Sequence, residues 1–376
     1  MKIGLLGAGT IGFGVCEITD KMPQLEIVKV LDRRDIPGLE GKLTKDADDI
    51  LNDPSIDTVV ELLGGVEPAR TWALKALKAG KNVVTANKLM VSESITELMA
   101  AAKEGGATLR FSAAVGGGIP YLFNLLRARR VDDILEVGGI LNGTTNYMLD
   151  LMSTQGIDYA EVLKLAQDAG YAEADPTADV SGGDTKCKIM LSSCIAWDGL
   201  VNKADILCEG ITSVSKADID IINERGYACK LLASAKKAEN GISCYVEPTL
   251  VRHDSVPGAI ALVENMATFV GANAGPQRFT GAGAGRYATA YAVVEDLIDV
   301  DQNPGAFSFS ISGKEIAIDN SAEKHCYMVR GLEIEGADEI AEGVYITGEI
   351  AVSEMHAMAA AARAEGKKVF FAGIRD

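Results

Sequence analysis

The sequence predicts an α/β protein: a doubly wound parallel sheet at the N-terminus, then an α+β domain. Three observations carry this. Residues 1–115 alternate strand-like and helical stretches. The loop Gly7-Ala8-Gly9-Thr10-Ile11-Gly12 joins the first strand to the first helix. From about residue 130 the alternation gives way to grouped helices and then strands.

The early strand signals are Lys2–Leu6, Glu26–Leu31, Thr58–Leu62, Asn82–Thr85 and Thr108–Ser112. Helical stretches lie between them at Ile11–Asp20, Ala47–Leu51, Pro68–Ala79 and Ser92–Glu104. Strands that recur with helices between them pair in parallel. Farther on, a strand at Ile134–Leu141 meets the polar run Asn142-Gly143-Thr144-Thr145-Asn146, and helices follow near 147–154, 158–169 and 183–199. Strand-like runs reappear at 242–251 and 268–270. Residues 281–299 read as a glycine loop and then a helix with alanines on its apolar face. Asp301-Gln302-Asn303-Pro304-Gly305 reads as a linker. The tail reads strand, strand, helix (Ser353–Glu365), strand. The expected division is 1–125 with 281–304 for a dinucleotide, 126–280 for substrate, catalysis and dimerisation, and 305–376 as a small C-terminal module.

The chain has 376 residues, 48% apolar and 24% charged, enough for two or three packed domains. A net charge of −17 argues against nucleic acid or an anionic membrane as partner. No run approaches the ~20 apolar residues of a membrane span. The cysteines at 16, 187, 194, 208, 229, 244 and 326 show no C-x-x-C pair and no metal-ligand spacing. They fit a reducing compartment, so a cytoplasmic protein without a metal is expected.

Gly7, Gly9 and Gly12 stand where a strand-to-helix turn binds pyrophosphate: the first for the turn, the second for close approach, the third for helix packing. Thr10 and Ile11 open the helix whose free N–H groups meet the phosphates. Asp32 ends the second strand, where an acid takes the ribose hydroxyls. A carboxylate there favours NAD over NADP. Arg33 and Arg34 follow at once and suit a 2′-phosphate, which leaves NADP open. The bland alternative is a tight turn with no ligand.

The stretch 166–188, AQDAGYAEADPTADVSGGDTKCK, is the most informative in the chain. Ser181 and Asp184 have capping-box spacing, so a helix starts near Gly182. That helix is apolar nearly all round and therefore buried. Asp184 and Lys188 lie one turn apart on one stripe of it, with Leu191 and Ile195. On a surface helix this would be an ordinary ion pair. On a buried helix it suits proton transfer to or from a hydroxyl, because burial disfavours an ammonium while a neighbouring carboxylate favours it. Glu173 and Asp179 precede the helix and could receive an amino-acid ammonium; the alternative is loop solubility. The histidines, at 253, 325 and 356, lie outside this region.

This stretch resembles the homoserine dehydrogenase signature at Ala166, Gly170, Tyr171, Ala172, Asp175, Pro176, Asp179, Gly182, Asp184 and Lys188. The runs Glu61-Leu62-Leu63-Gly64-Gly65, Lys81-Asn82-Val83-Val84-Thr85-Ala86-Asn87-Lys88, Val115-Gly116-Gly117-Gly118-Ile119-Pro120 and Leu141-Asn142-Gly143-Thr144-Thr145-Asn146-Tyr147 are similar to the same family, over roughly residues 1–300. The resemblance implies a Rossmann domain joined to a dimerising catalytic domain, in a homodimer or homotetramer. It implies reversible conversion of L-aspartate 4-semialdehyde to L-homoserine with NAD or NADP. Lys188 and Asp184 would handle the hydroxyl proton, and Lys88 would sit near the nicotinamide and the reacting carbon. Glu173, Asp179, Tyr171, Thr144 and Gly143 would hold the substrate. Gly64 and Gly285 would join the cofactor residues.

Three departures stand out. Ser112 replaces the family's usual glutamate near Val115, where some members hold a monovalent cation. Arg286 adds a charge in Gly281-Ala282-Gly283-Ala284-Gly285-Arg286-Tyr287-Ala288-Thr289. Cys326-Tyr327-Met328-Val329-Arg330 is similar to the first strand of a regulatory ACT domain, without its proline–glycine turn. Two other readings stay open on residues alone: a paralogous dehydrogenase of another small hydroxy or amino acid, and a catalytically silent dinucleotide sensor. The latter has no need of Asp184 and Lys188 together.

Overall fold

The computed structural model describes residues 1–303, 309 and 311–375, in two compact units. Along the chain the elements are β1 (Lys2–Leu6), α1 (Thr10–Thr19), β2 (Glu26–Leu31), β3 (Leu43–Thr44), α2 (Asp48–Leu51), β4 (Thr58–Glu61), α3 (Ala69–Lys78), β5 (Asn82–Thr85), α4 (Lys88–Gly105), β6 (Leu109–Arg110) and α5 (Tyr121–Ala128). Then come β7 (Ile134–Ile140), α6 (Gly143–Gln155), α7 (Tyr159–Asp168), α8 (Thr177–Val180), α9 (Gly183–Ala196), β8 (Leu200–Val201), β9 (Leu207–Cys208), α10 (Lys216–Glu224), β10 (Tyr227–Ala238), β11 (Gly241–Arg252), β12 (Glu264–Gly271), β13 (Gly275–Ala282) and α11 (Arg286–Gln302). The tail holds β14 (Glu315–Ile316), β15 (Lys324–His325), β16 (Tyr327–Arg330), β17 (Asp338–Ala341), β18 (Val344–Ile346), β19 (Ile350–Ala351), α12 (Val352–Ala364) and β20 (Phe370–Arg375).

The first unit comprises Met1–Asp132, Cys194–Leu200 and Gly281–Lys314. Its sheet is parallel, in the order β3-β2-β1-β4-β5-β6. The order reverses between β1 and β4, so a crevice opens at the carboxyl ends of these strands. Ile3, Leu5, Val30, Val60 and Val84 form one core with Val15 of α1 and Ala290, Val293 and Leu297 of α11. Gly14 permits that packing: a Cβ there would stand 3.0 Å from the Ala290 methyl.

Local chemistry moved two expected boundaries. The helix expected from Ser92 begins at Lys88, because the Asn87 side chain caps it by accepting the Met90 N–H at 3.1 Å. The strand expected over Thr108–Ser112 shrinks to β6, because Ser112–Ala114 forms a single 3₁₀ turn. Asp301 and Gln302, expected in a linker, end α11, while Pro304 and Gly305 lie outside the described residues.

Ser112 is committed to a buried ion network. Its N–H and hydroxyl donate to Asp296 at 2.9 and 2.7 Å. Arg110, 1% exposed, donates to the same carboxylate at 3.1 Å and also pairs with Asp299. Burial pushes the Asp296 carboxyl up, while Arg110 and Ser112 pull it down.

The second unit comprises Asp133–Ser193, Val201–Thr280 and the chain from Glu315. Its mixed sheet runs β13-β12-β7-β10-β11-β20-β16-β18-β17. β20 pairs in parallel with β11 and antiparallel with β16, so the tail strands extend this sheet. α12 covers them with Met355 and Ala359 against Tyr327, Val329 and Phe371. On another part of the sheet, buried Lys230 of β10 donates to the Ile260 carbonyl at 2.6 Å and to Asn146 of α6 at 3.1 Å.

Candidate active site

The glycine loop has the space its sequence promised. A Cβ on Gly12 would fall 2.1 Å from the Gly7 carbonyl oxygen, so only glycine lets α1 start this close to β1. Gly9 has open space where a Cβ would point. Beside it lies a cavity of about 330 Å³, lined in part by Ala8, Gly9, Thr10, Phe13, Arg34 and Ile36. The residues therefore fit a dinucleotide: bare backbone for pyrophosphate and a half-apolar recess for the adenosine. Gly64 (φ +78°) adds a second open loop at the end of β4, and Gly285 (φ +115°) caps α11. Half-buried Lys88 is the first residue of α4, and half-buried Ile11 lies in the first turn of α1.

Asp32 sits at the end of β2 as the spacing predicts, and its carboxylate is already engaged. It accepts the Ala8 N–H at 3.1 Å and, from Arg34, the backbone N–H, Nε and Nη2 at 2.9, 3.0 and 3.0 Å. The Arg34 guanidinium holds the Asp32 carboxyl far below the usual carboxylate range. The Arg34 side chain is 65% exposed, and Arg33 is exposed as well. Arg286 lies over the Phe13 ring at 4.7 Å and pairs with Glu17 at 2.6 Å, so its charge is met by a carboxylate on α1.

In the second unit the signature residues gather around Asn142. Lys188 Nζ donates to Asp184 at 2.8 Å and to the Leu141 carbonyl at 2.5 Å. Asn142 Nδ2 donates to Asp179 at 2.7 Å and to Asp184 at 2.9 Å, and its Oδ1 caps α6 by accepting the Thr145 N–H at 2.8 Å. Asp184 and Lys188 are each 7% exposed. The capping box expected of Ser181 and Asp184 is replaced by this arrangement: α9 begins at Gly183, and the Asp184 carboxylate points to Lys188 and Asn142. Ser181 Oγ reaches only the Gly183 N–H, at 3.4 Å.

Thr144 donates its hydroxyl to the Tyr171 carbonyl at 2.7 Å, which leaves its oxygen free to accept. The Tyr171 ring, 46% exposed, meets Tyr147 edge-on at 5.0 Å. Gly143 opens α6 where a Cβ would crowd the Val263 carbonyl oxygen at 2.7 Å. Asp179 is half-buried in the cluster, and Glu173 is exposed on the loop after α7. Asn142 is the residue that sequence reasoning had not placed in the site. Its signal was present: an amide at a strand end, directly before the Gly-Thr-Thr that opens a helix.

Residues 7–112 match the family described as homoserine dehydrogenase, NAD binding domain, and residues 120–298 match homoserine dehydrogenase. The homoserine dehydrogenase of Synechocystis is 40% identical over 81% of this chain and 76% of its own length. That of Bacillus subtilis is 35% identical over 92% and 84%.

The chain belongs to the homoserine dehydrogenase family.

It is an oxidoreductase with a nicotinamide-dinucleotide domain. The crystal structure of a homoserine dehydrogenase from Thiobacillus denitrificans superposes with a TM-score of 0.88 at 33% identity, over 100% of this chain and 98% of that one. Because that match includes the tail, the strands from Glu315 onward belong to a fold other homoserine dehydrogenases share. Among the described residues no group of His, Cys, Asp and Glu is arranged to hold a metal ion. No helix among them is long and apolar enough to cross a membrane.

Proposed function

We propose that the chain interconverts L-homoserine and L-aspartate 4-semialdehyde with NAD or NADP, in threonine and methionine biosynthesis. The observation that carries the residue assignment is the Lys188–Asp184–Asn142–Asp179 network. Two of the three Lys188 N–H groups are spent on Asp184 and Leu141, and the third is left for a substrate oxygen. In the reductive direction that third N–H gives its proton to the forming alkoxide; in the oxidative direction the hydroxyl proton passes back to Nζ. Asp184 stabilises the ammonium between those events. When bound, the nicotinamide supplies or removes the hydride. Asp179, Glu173, the Thr144 oxygen and the α6 N-terminus at Gly143 would receive the amino and carboxyl groups, with Tyr171 beside them. We assign Lys88, Gly64 and Gly285 to the nicotinamide side, and Gly7, Gly9, Thr10, Ile11, Gly12, Asp32 and Arg33 to the pyrophosphate and adenosine. Thus the first unit takes the cofactor, and the second takes substrate, catalysis and dimerisation. A cytoplasmic location is proposed, supported by the free cysteines, and a homodimer or homotetramer is proposed from the family resemblance. The test is the ultraviolet absorbance of reduced nicotinamide with purified protein, L-homoserine and either cofactor; no turnover would reject the activity.

Asp179→Asn is expected to lower kcat/KM for homoserine about ten- to a hundredfold, the loss of a charge-assisted hydrogen bond worth roughly 1.5–3 kcal/mol. Glu173→Gln tests the exposed carboxylate in the same assay. Unchanged values in both variants would move the substrate pocket elsewhere.

For the cofactor we propose that NAD is preferred and NADP is usable. The Asp32 carboxylate accepts four hydrogen bonds, three from Arg34. Ribose hydroxyls can replace the two from the exposed guanidinium, while a 2′-phosphate would draw that guanidinium to itself. Asp32→Ala is expected to narrow or reverse the preference in kcat/KM, and Arg34→Ala to widen it. A wild type that strongly favours NADP, with an unchanged ratio in Asp32→Ala, would end the assignment.

A further inference from the structure

We propose that Glu61 is a positioning residue for the reaction: from inside the parallel sheet it locks together the two loops that carry Gly64 and Lys88. The inference rests on the assignment of Lys88 to the nicotinamide side.

Glu61 ends β4 next to the reversal of strand order, and its side chain is fully buried. Val59 and Val60 before it show what packing alone requires of this strand. A buried carboxylate is costly unless it is satisfied. Among the described residues no lysine, arginine or histidine forms an ion pair with Glu61. Its partners are instead Thr85 at the end of β5 and Leu63 and Asn87 of the two loops.

One carboxylate oxygen accepts the Leu63 N–H at 2.8 Å and the Asn87 amide at 3.4 Å; the other accepts the Thr85 hydroxyl at 2.6 Å. Thr85 Oγ1 in turn accepts the Asn87 backbone N–H at 2.9 Å. The Asn87 amide also donates to the Gly65 carbonyl at 2.7 Å, which closes a ring between the loop after β4 and the loop after β5. The remaining Asn87 oxygen caps α4 through Met90 N–H, so the same ring fixes the helix start that presents Lys88. Gly64 and Gly65, at φ +78° and +71°, give the first loop little stiffness of its own. The carboxylate supplies it.

A group that sets a reacting residue within a fraction of an ångström can be worth about a hundredfold in rate without touching substrate. The test uses the full chain with Glu61→Gln, Thr85→Val and, as the conservative control, Thr85→Ser. Three quantities are read: amide hydrogen exchange at Leu63 and Met90 without cofactor, homoserine KM, and kcat with its primary deuterium isotope effect. Glu61→Gln and Thr85→Val are expected to speed exchange at both amides about tenfold or more. They should lower kcat about ten- to a hundredfold, raise the isotope effect, and leave homoserine KM within about threefold. Thr85→Ser should restore all of these. Unchanged exchange in both disruptive variants would overturn the proposal, and so would faster exchange with kcat and isotope effect intact. If the wild type itself fails to oxidise homoserine, the activity reading fails, while exchange still reports whether Glu61 holds the two loops.

Discussion

Lys188→Ala is expected to cut kcat by about 10²–10⁴ while nucleotide binding persists. The magnitude is that of a general acid–base group. Nucleotide binding persists because the glycine loop belongs to the other compact unit. Removing the ammonium also leaves Asp184 buried with a weaker set of partners, and breaking such a pair typically costs about 3–5 kcal/mol. The variant must therefore be followed by thermal unfolding and by NADPH fluorescence as well as by turnover. Asn142 still donates to Asp184 in the variant, which limits the damage. Lys188→Met keeps most of the side-chain volume and should lose the same activity with less change in packing. Near-normal kcat in a folded Lys188 variant would refute the acid–base assignment.

Arg110→Ala is expected to lose about 3–5 kcal/mol of stability, a large share of the roughly 5–15 kcal/mol typical of a folded domain. The guanidinium holds two carboxylates of α11, and without it Asp296 keeps only the two hydrogen bonds from Ser112. Burial already pushes this carboxyl up, so the sign of the pH effect follows. A carboxyl raised in the folded state is tolerated below its unfolded value and destabilises as pH climbs through the folded one. The deficit in Arg110→Ala should therefore be smallest in mild acid and largest near neutrality, as read from urea midpoints across pH. Arg110→Met with Asp296→Leu should recover much of the loss, because an apolar pair leaves no uncompensated charge. A single variant as stable as wild type would show that the network contributes nothing net.

Much of this was legible in the sequence where the pattern is local. β1, β2 and β5 fall on the expected residues, because a largely buried parallel strand reads as a short apolar run. The pairing of Lys188 with Asp184 was legible from helical spacing. β10 was not, since it carries lysines at 230, 236 and 237 that break its apolar run, and one of these is buried against a carbonyl of a distant loop and an amide of α6. The contacts of Asn142 and Glu61 were also hidden. Each depends on partners more than twenty residues away, which only the folded chain brings together. Arg34 shows the limit of motif reading: its position was noted, but its three bonds to Asp32 depend on the conformation of the turn.

The return of α11 to the N-terminal sheet has a consequence for how the protein is made. Ile3 and Leu5 leave the ribosome about 290 residues ahead of Val293 and Leu297, which belong to the same core. At about 5–20 residues per second, some 15–60 seconds separate the two ends of that core during synthesis. Through that interval the nascent first unit has one apolar surface uncovered, and the second unit is produced inside the gap. The cofactor domain is begun before the second unit and completed after it, so its early half keeps an apolar face uncovered until α11 arrives.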